Sequence, residues 1–269
     1  MTFRSARAEP AHLHPSGVVG CLLALVVTAA CGGRPSPAVS TGAAGPPPSA
    51  SPSAAPGQPA AVPPAAAGTG SVFGQATGAQ VAVYAQATGT DPVRTLASPN
   101  ADGAPTVFLL QQSQTTRRVQ VLLPVRPNGS TGWVDRDQLR LFTTPYRLVI
   151  SVAQHRLQEY RAGQLVGTDP VGIGRGVTPT PSGTYYLTEL LQPPDPNGPY
   201  GPYAYGLSAY SPVLTDFAGG PGQIGLHGTN DPAGLGTDVS HGCIRVANIV
   251  ITRLARTVPP GTPVTINQQ

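Results

Sequence analysis

Ser240-His241-Gly242-Cys243-Ile244-Arg245, with His227-Gly228-Thr229-Asn230 a short distance upstream, is the stretch on which the reading of this chain turns. Cys243 is the last of three cysteines, and Cys21 and Cys31 lie in or at the end of an N-terminal apolar segment. A single thiol left in an exported domain has no internal disulfide partner, so it is either a small buried hydrophobe or a reagent. Two histidines, two glycines and an arginine around it favour the reagent. A thiol of ordinary pKa, near ~8.5, is only a few per cent thiolate at neutral pH and needs a base or nearby positive charge. His227 is the candidate base, and Gly228 brings a carbonyl able to fix the imidazole tautomer. The backbone amides of His241, Gly242 and Cys243 are candidates for an oxyanion hole, because glycine lets the chain approach a substrate closely. Arg245 supplies positive charge for a substrate carboxylate or for the loop itself, with Asp238 as an alternative partner. His241 reads equally as a proton carrier or as a hydrogen-bonding residue of the loop. Ser240 reads as a turn-stabilising hydroxyl rather than a second nucleophile, within reach of substrate. His227, His241 and Cys243, with Asp231 or Asp238, are also zinc-ligand types. The H-x-C spacing is too close for the usual patterns, and no CxxC, HxxxH or HExxH lies nearby, so no metal site is expected.

HGTN followed by SHGCIR resembles the catalytic signature of the L,D-transpeptidases with a YkuD-type domain. The resemblance extends to Gly172-Ile173-Gly174-Arg175 with Thr178-Pro179-Thr180-Pro181-Ser182-Gly183, similar to the family's glycine turn and TPxG segment. It also takes in Gly261-Thr262-Pro263-Val264-Thr265-Ile266, similar to its closing strand. It implies a mainly β catalytic domain over residues 144–269, with Cys243 and His227 as the catalytic pair and no cofactor. It implies peptidoglycan stem peptides as partners: a tetrapeptide donor that loses D-alanine, a Cys thioester, and a 3→3 cross-link when an amine resolves it. Water in place of the amine gives an L,D-carboxypeptidase, and a non-catalytic wall-binding lipoprotein is the alternative from another class. A monomer is expected.

The N-terminus reads as export machinery. Arg4 and Arg7 precede an apolar run over residues 18–30, too short to span a bilayer comfortably, which favours a signal peptide over residues 1–30. Thr28-Ala29-Ala30-Cys31 resembles a bacterial lipobox, making Cys31 the expected site of lipidation and membrane anchorage on the outer face. Residues 31–70 are almost wholly Pro, Ala, Ser and Gly, which bury too little apolar surface to offset their ordering entropy, so a disordered tether is expected. All sixteen basic residues are arginine, and the net charge of +4 is scattered apart from Arg117-Arg118. No aromatic–basic alternation accompanies it, so nucleic acid is not an expected partner.

Residues 71–143 alternate apolar and polar positions in short runs: 80–84, 106–110 and 118–122, with a Pro127-Asn128-Gly129 turn before Gly132-Trp133-Val134. This looks like the small SH3-like β module that accompanies the catalytic domain in actinobacterial relatives, with Trp133 in its core. So small a module has a marginal core and is expected to dock on its neighbour. Beyond it, Leu148, Ile150 and Val152 fall on one face of a strand. Ile251, Leu254, Ala255 and Val258 mark the single helix, with Asn248 its natural cap. Residues 192–212, dense in Pro, Gly and Tyr, read as a long loop over the thiol, with Tyr203 and Tyr205 as substrate contacts.

Overall fold

The computed structural model describes residues 70–115 and 117–269, with residues 112–114 described in their backbone only. The expected signal peptide, the lipidation at Cys31 and the tether up to residue 69 lie outside the described residues.

The first sheet is seven-stranded, β3-β2-β6-β5-β4-β1-β7, and antiparallel at every pairing. Its strands are β1 (Ser71–Ala76), β2 (Gln80–Tyr84), β3 (Arg94–Ala97), β4 (Val107–Gln114), β5 (Arg118–Leu122), β6 (Thr131–Asp135) and β7 (Leu139–Thr144). Alternation puts Val81, Val83, Phe108, Val119, Val121 and Val134 into one apolar cluster. On β6, Gly132 and Val134 take the inward positions, and a side chain at Gly132 would meet Val83 at 2.4 Å. Trp133 therefore falls on the opposite face, half-buried, and is not the core residue expected of it.

The second sheet has the order β10-β9-β8-β17-β12-β13-β14-β16. It comprises β8 (Tyr146–Ser151), β9 (Arg156–Arg161), β10 (Gln164–Pro170), β12 (Gly183–Leu191), β13 (Ala204–Tyr210), β14 (Gln223–His227), β16 (Ile244–Arg245) and β17 (Pro263–Asn267). The short β11 (Ile173–Gly174) and β15 (Asp238–Ser240) pair separately. α1 (Asn248–Thr257) is the one α-helix among the described residues, so the chain is mainly β, as expected. Ile251, Leu254 and Val258 pack with Leu148, Ile150, Leu187 and Leu207 in the larger core. The helix starts on Asn248 itself, with Ala247 at the cap position and no side-chain cap.

The two sheets share a buried seam. Tyr186 of β12 is fully buried among Phe73, Val107, Leu109 and Leu122 of the first sheet, and its hydroxyl donates to Val107 O at 3.0 Å. Tyr185 and Leu187, on the other face of β12, belong to the larger core. β12 is thus covered on both sides, which explains its unbroken run of buried residues.

Candidate active site

Parallel pairing of β14 with β16, in the register Leu226↔Ile244 and His227↔Arg245, brings the two halves of the sequence signature side by side. The sulfur of Cys243, half-buried, accepts a hydrogen bond from Gly225 N–H at 3.3 Å. His227 stands two residues further along β14, on the same face as Gly225, and is only 3% exposed. Its Nδ1 lies 2.6 Å from Gly228 O. A carbonyl can only accept, so Nδ1 carries the proton and Nε2 presents its lone pair.

Burial drives the electrostatics. It pushes the His227 imidazole down to about 4 against the opposing pull of the Gly228 carbonyl, and the Arg245 charge pushes the same way as burial. Burial also pushes the Cys243 thiol above its ordinary value, which the Gly225 N–H and the Arg245 charge only moderate. The resting pair is a neutral imidazole and a protonated thiol.

The loop that presents the thiol is tied from three sides. Gly242 has φ +120, a conformation only glycine takes readily. Ser240 Oγ donates to Cys243 O and accepts from Gly242 N–H at 3.0 Å. Thr180 Oγ1 accepts from Gly174 N–H at 2.9 Å and donates to Gly242 O at 2.8 Å. This is what the glycine turn and the TPxG segment do physically: they hold the catalytic-loop backbone from beneath. Because Ser240 occupies the Gly242 amide, the expected three-amide oxyanion hole is reduced to His241 and Cys243. Among the described residues, those two amides donate to no acceptor.

The structure brings Cys243, His227, Gly228, Gly242 and Arg245 together. Arg245 is not paired with Asp238, whose carboxylate accepts from His155 Nε2 at 2.8 Å. The buried Nε of Arg245 has no partner among the described residues. His241 is exposed, its ring 5.3 Å from that of Phe217. Ser240, 1% exposed, spends its hydroxyl on the loop and is not a substrate contact. Tyr205 is fully buried, its hydroxyl donating to Leu254 O and Val258 O, so it is a core residue and not a substrate contact. Tyr203 packs half-buried against the larger core, and its carbonyl accepts from Gly228 N–H at 3.3 Å.

The tyrosine at the site is instead Tyr200, whose ring meets that of His227 edge-on at 4.9 Å. Burial raises its pKa, to which a Cys243 thiolate would add, and the Arg245 charge opposes the rise. Gly201, at φ +64, makes this approach possible: a side chain there would lie 2.4 Å from Asn248 Oδ1 and 2.7 Å from Gly228 Cα. Asn248 accepts from Thr229 N–H at 2.8 Å, so the residue expected to cap the helix braces the His227 loop. The glycines flanking Tyr200 in Gly198-Pro199-Tyr200-Gly201 were the available signal for a tight turn at this position.

Comparison with known proteins identifies the family. The model of the YkuD L,D-transpeptidase catalytic domain matches residues 145–266. YkuD of Bacillus licheniformis, named for the L,D-transpeptidases, is 35% identical over 160 residues, covering 57% of this chain and 87% of that protein. Its namesake in Bacillus subtilis is 35% identical over 127 residues, 47% of this chain and 69% of that protein. ErfK/SrfK of Escherichia coli, also named for that activity, is 30% identical over 194 residues, 67% of this chain and 60% of that protein. His227 on β14 and Cys243 just before β16 both fall inside the matched span, and the chain belongs to the YkuD-type L,D-transpeptidase family.

Proposed function

We propose that this transpeptidase forms 3→3 cross-links in peptidoglycan through a thioester on Cys243, releasing D-alanine from a tetrapeptide donor. The observation that carries the reading is the His227 ring, buried on the strand beside the thiol and locked with its lone pair on Nε2 by Gly228 O. Such a ring is a general base beside a thiol that burial keeps protonated. Nε2 takes the thiol proton as sulfur attacks the carbonyl between the third residue and the terminal D-alanine. The tetrahedral oxyanion is met by the His241 and Cys243 amides. The C–N bond then breaks and the proton passes from His227 to the departing amine of D-alanine. An amine on a second stem attacks the thioester, the C–S bond breaks, and the amine's proton returns to sulfur through His227. Arg245, in register with His227, brings positive charge to the same site, suited to a donor carboxylate.

Residues 144–269 are the catalytic domain in this reading, and residues 71–143 an accessory module. The lipobox at Cys31 and the Pro/Ala-rich segment over residues 31–70 support a protein tethered to the outer face of the membrane, within reach of the wall. The purified protein incubated with disaccharide-tetrapeptide should yield D-alanine and a cross-linked dimer in equal amounts. Tripeptide without dimer would make it a carboxypeptidase, and no D-alanine at all would remove this donor.

A further inference from the structure

The loop over residues 211–222 joins β13 to β14 and carries Phe217 onto His241, two residues from the thiol. Its base is closed by Ser211 N–H donating to Gly222 O at 2.8 Å. Its tip is closed by Phe217 and Gly220, each donating to the other's carbonyl at 2.9 and 3.0 Å. What holds the loop in place comes from the other sheet. The guanidinium of Arg126, in the turn between β5 and β6, donates to Ser211 O at 2.7 Å, Leu214 O at 2.9 Å and Pro221 O at 3.0 Å. Asn128 donates to Tyr210 O and accepts from Tyr210 N–H, both at 2.8 Å, as a strand partner would. Tyr210 returns its hydroxyl to Pro124 O at 2.9 Å. Gly222, at φ +71, leaves room for this: a side chain there would meet Leu214 O at 2.1 Å and Arg126 Nη2 at 3.2 Å.

We propose that Arg126 and Asn128 are positioning residues for acyl transfer, fixing the 211–222 loop so that Phe217 walls the approach to the thioester against water and favours an amine acceptor. The inference rests on the transpeptidase reading above. Five hydrogen bonds link one turn to backbone atoms in the loop and at the strand end that leads into it. Three carbonyls on one planar fork is an arrangement a lysine cannot copy. The loop's exposed apolar groups, Val213 at 54% and Phe217 at 37%, are a surface for the incoming stem. Both fates of the thioester break the C–S bond and return a proton to sulfur. An amine leaves an amide and water leaves a carboxylate, so the loop selects between them without altering the first step.

The test is the ratio of cross-linked dimer to hydrolysed tripeptide formed by the full chain, a quantity independent of how much enzyme is folded. Arg126→Ala, which removes all three guanidinium bonds, should lower this ratio by about fivefold or more, with donor consumption largely kept. Phe217→Ala should do the same, the double variant should fall no further, and Arg126→Lys should recover only part of the loss. An unchanged ratio in Arg126→Ala, or fully additive losses, would overturn the proposal. If the wild-type protein forms no acyl-enzyme, the transpeptidase reading fails instead. The clamp itself is then read by hydrogen exchange: the Phe217 and Gly220 amides should lose protection in Arg126→Ala, and unchanged protection would overturn it.

Discussion

Gly228 O lies one residue along the chain from the ring it orients, so the tautomer of His227 was legible in the sequence: adjacency alone supplies the acceptor. The protonation state was not legible, because it follows from burial, and burial is set by residues far away in the chain. With the imidazole pushed down to about 4 and the thiol pushed up, burial disfavours both charges of an ion pair. The sign for the thiol is plain: a raised pKa means less thiolate at any given pH, with alkylation accelerating until the pH passes that value. Alkylation of Cys243 by iodoacetamide should therefore climb about tenfold per pH unit through neutrality and keep climbing beyond about pH 9. A plateau starting below neutrality would mean a preformed thiolate–imidazolium pair. Among the tyrosines, sequence offered no way to choose. Tyr200, Tyr203 and Tyr205 lie within six positions, and only the start of β13 at Ala204 decides that Tyr205 points into the core.

At the scale of elements, the sequence reads well where apolar periodicity is unbroken, as in β8 and α1, and badly where packing demands small residues. Residues 192–212 read as one loop, yet Ala204–Tyr210 is a strand buried along almost its whole length. Its signal is broken by Gly206, and the structure shows why that glycine is there: a side chain would sit 1.6 Å from Glu189 Oε1 on the neighbouring strand. Likewise, Asn248 has the composition of a helix cap, but its oxygen is taken by Thr229 across the site. The TPxG segment was recognisable as a motif, and its task is carried by one hydroxyl. Thr180→Val keeps the shape but leaves the Gly174 amide and the Gly242 carbonyl unsatisfied in a buried place. That should cost about 2 kcal/mol or more in urea unfolding, with Thr180→Ser recovering most of it. A loss below ~0.5 kcal/mol would mean the loop is held by Ser240 alone.

Across the whole molecule, the small first sheet is not an independent bead. Tyr186 reaches Val107 O, Thr144 Oγ1 meets Thr262 Oγ1 at 3.2 Å, and Asn100 donates to the buried Glu189 carboxyl at 2.8 Å. Gly261, at φ +88, brings the chain so close to Phe73 that a side chain there would lie 2.2 Å from its ring. The module's size made docking an expectation, but these contacts join residues 79 to 118 positions apart, and no local pattern announces them. The seam gives the catalytic sheet a second covered face and gives the 211–222 loop its anchor, so fold and site are stabilised together. All of this geometry converges on one thiol, Cys243, which carries the acyl group in the proposed reaction. Intact-protein mass spectrometry with peptide mapping, after mixing the purified protein with disaccharide-tetrapeptide, tests that role most directly. An adduct of the donor less D-alanine should appear on the Cys243 peptide and be absent in Cys243→Ala, whereas donor consumed equally by both proteins would mean that Cys243 is not the nucleophile.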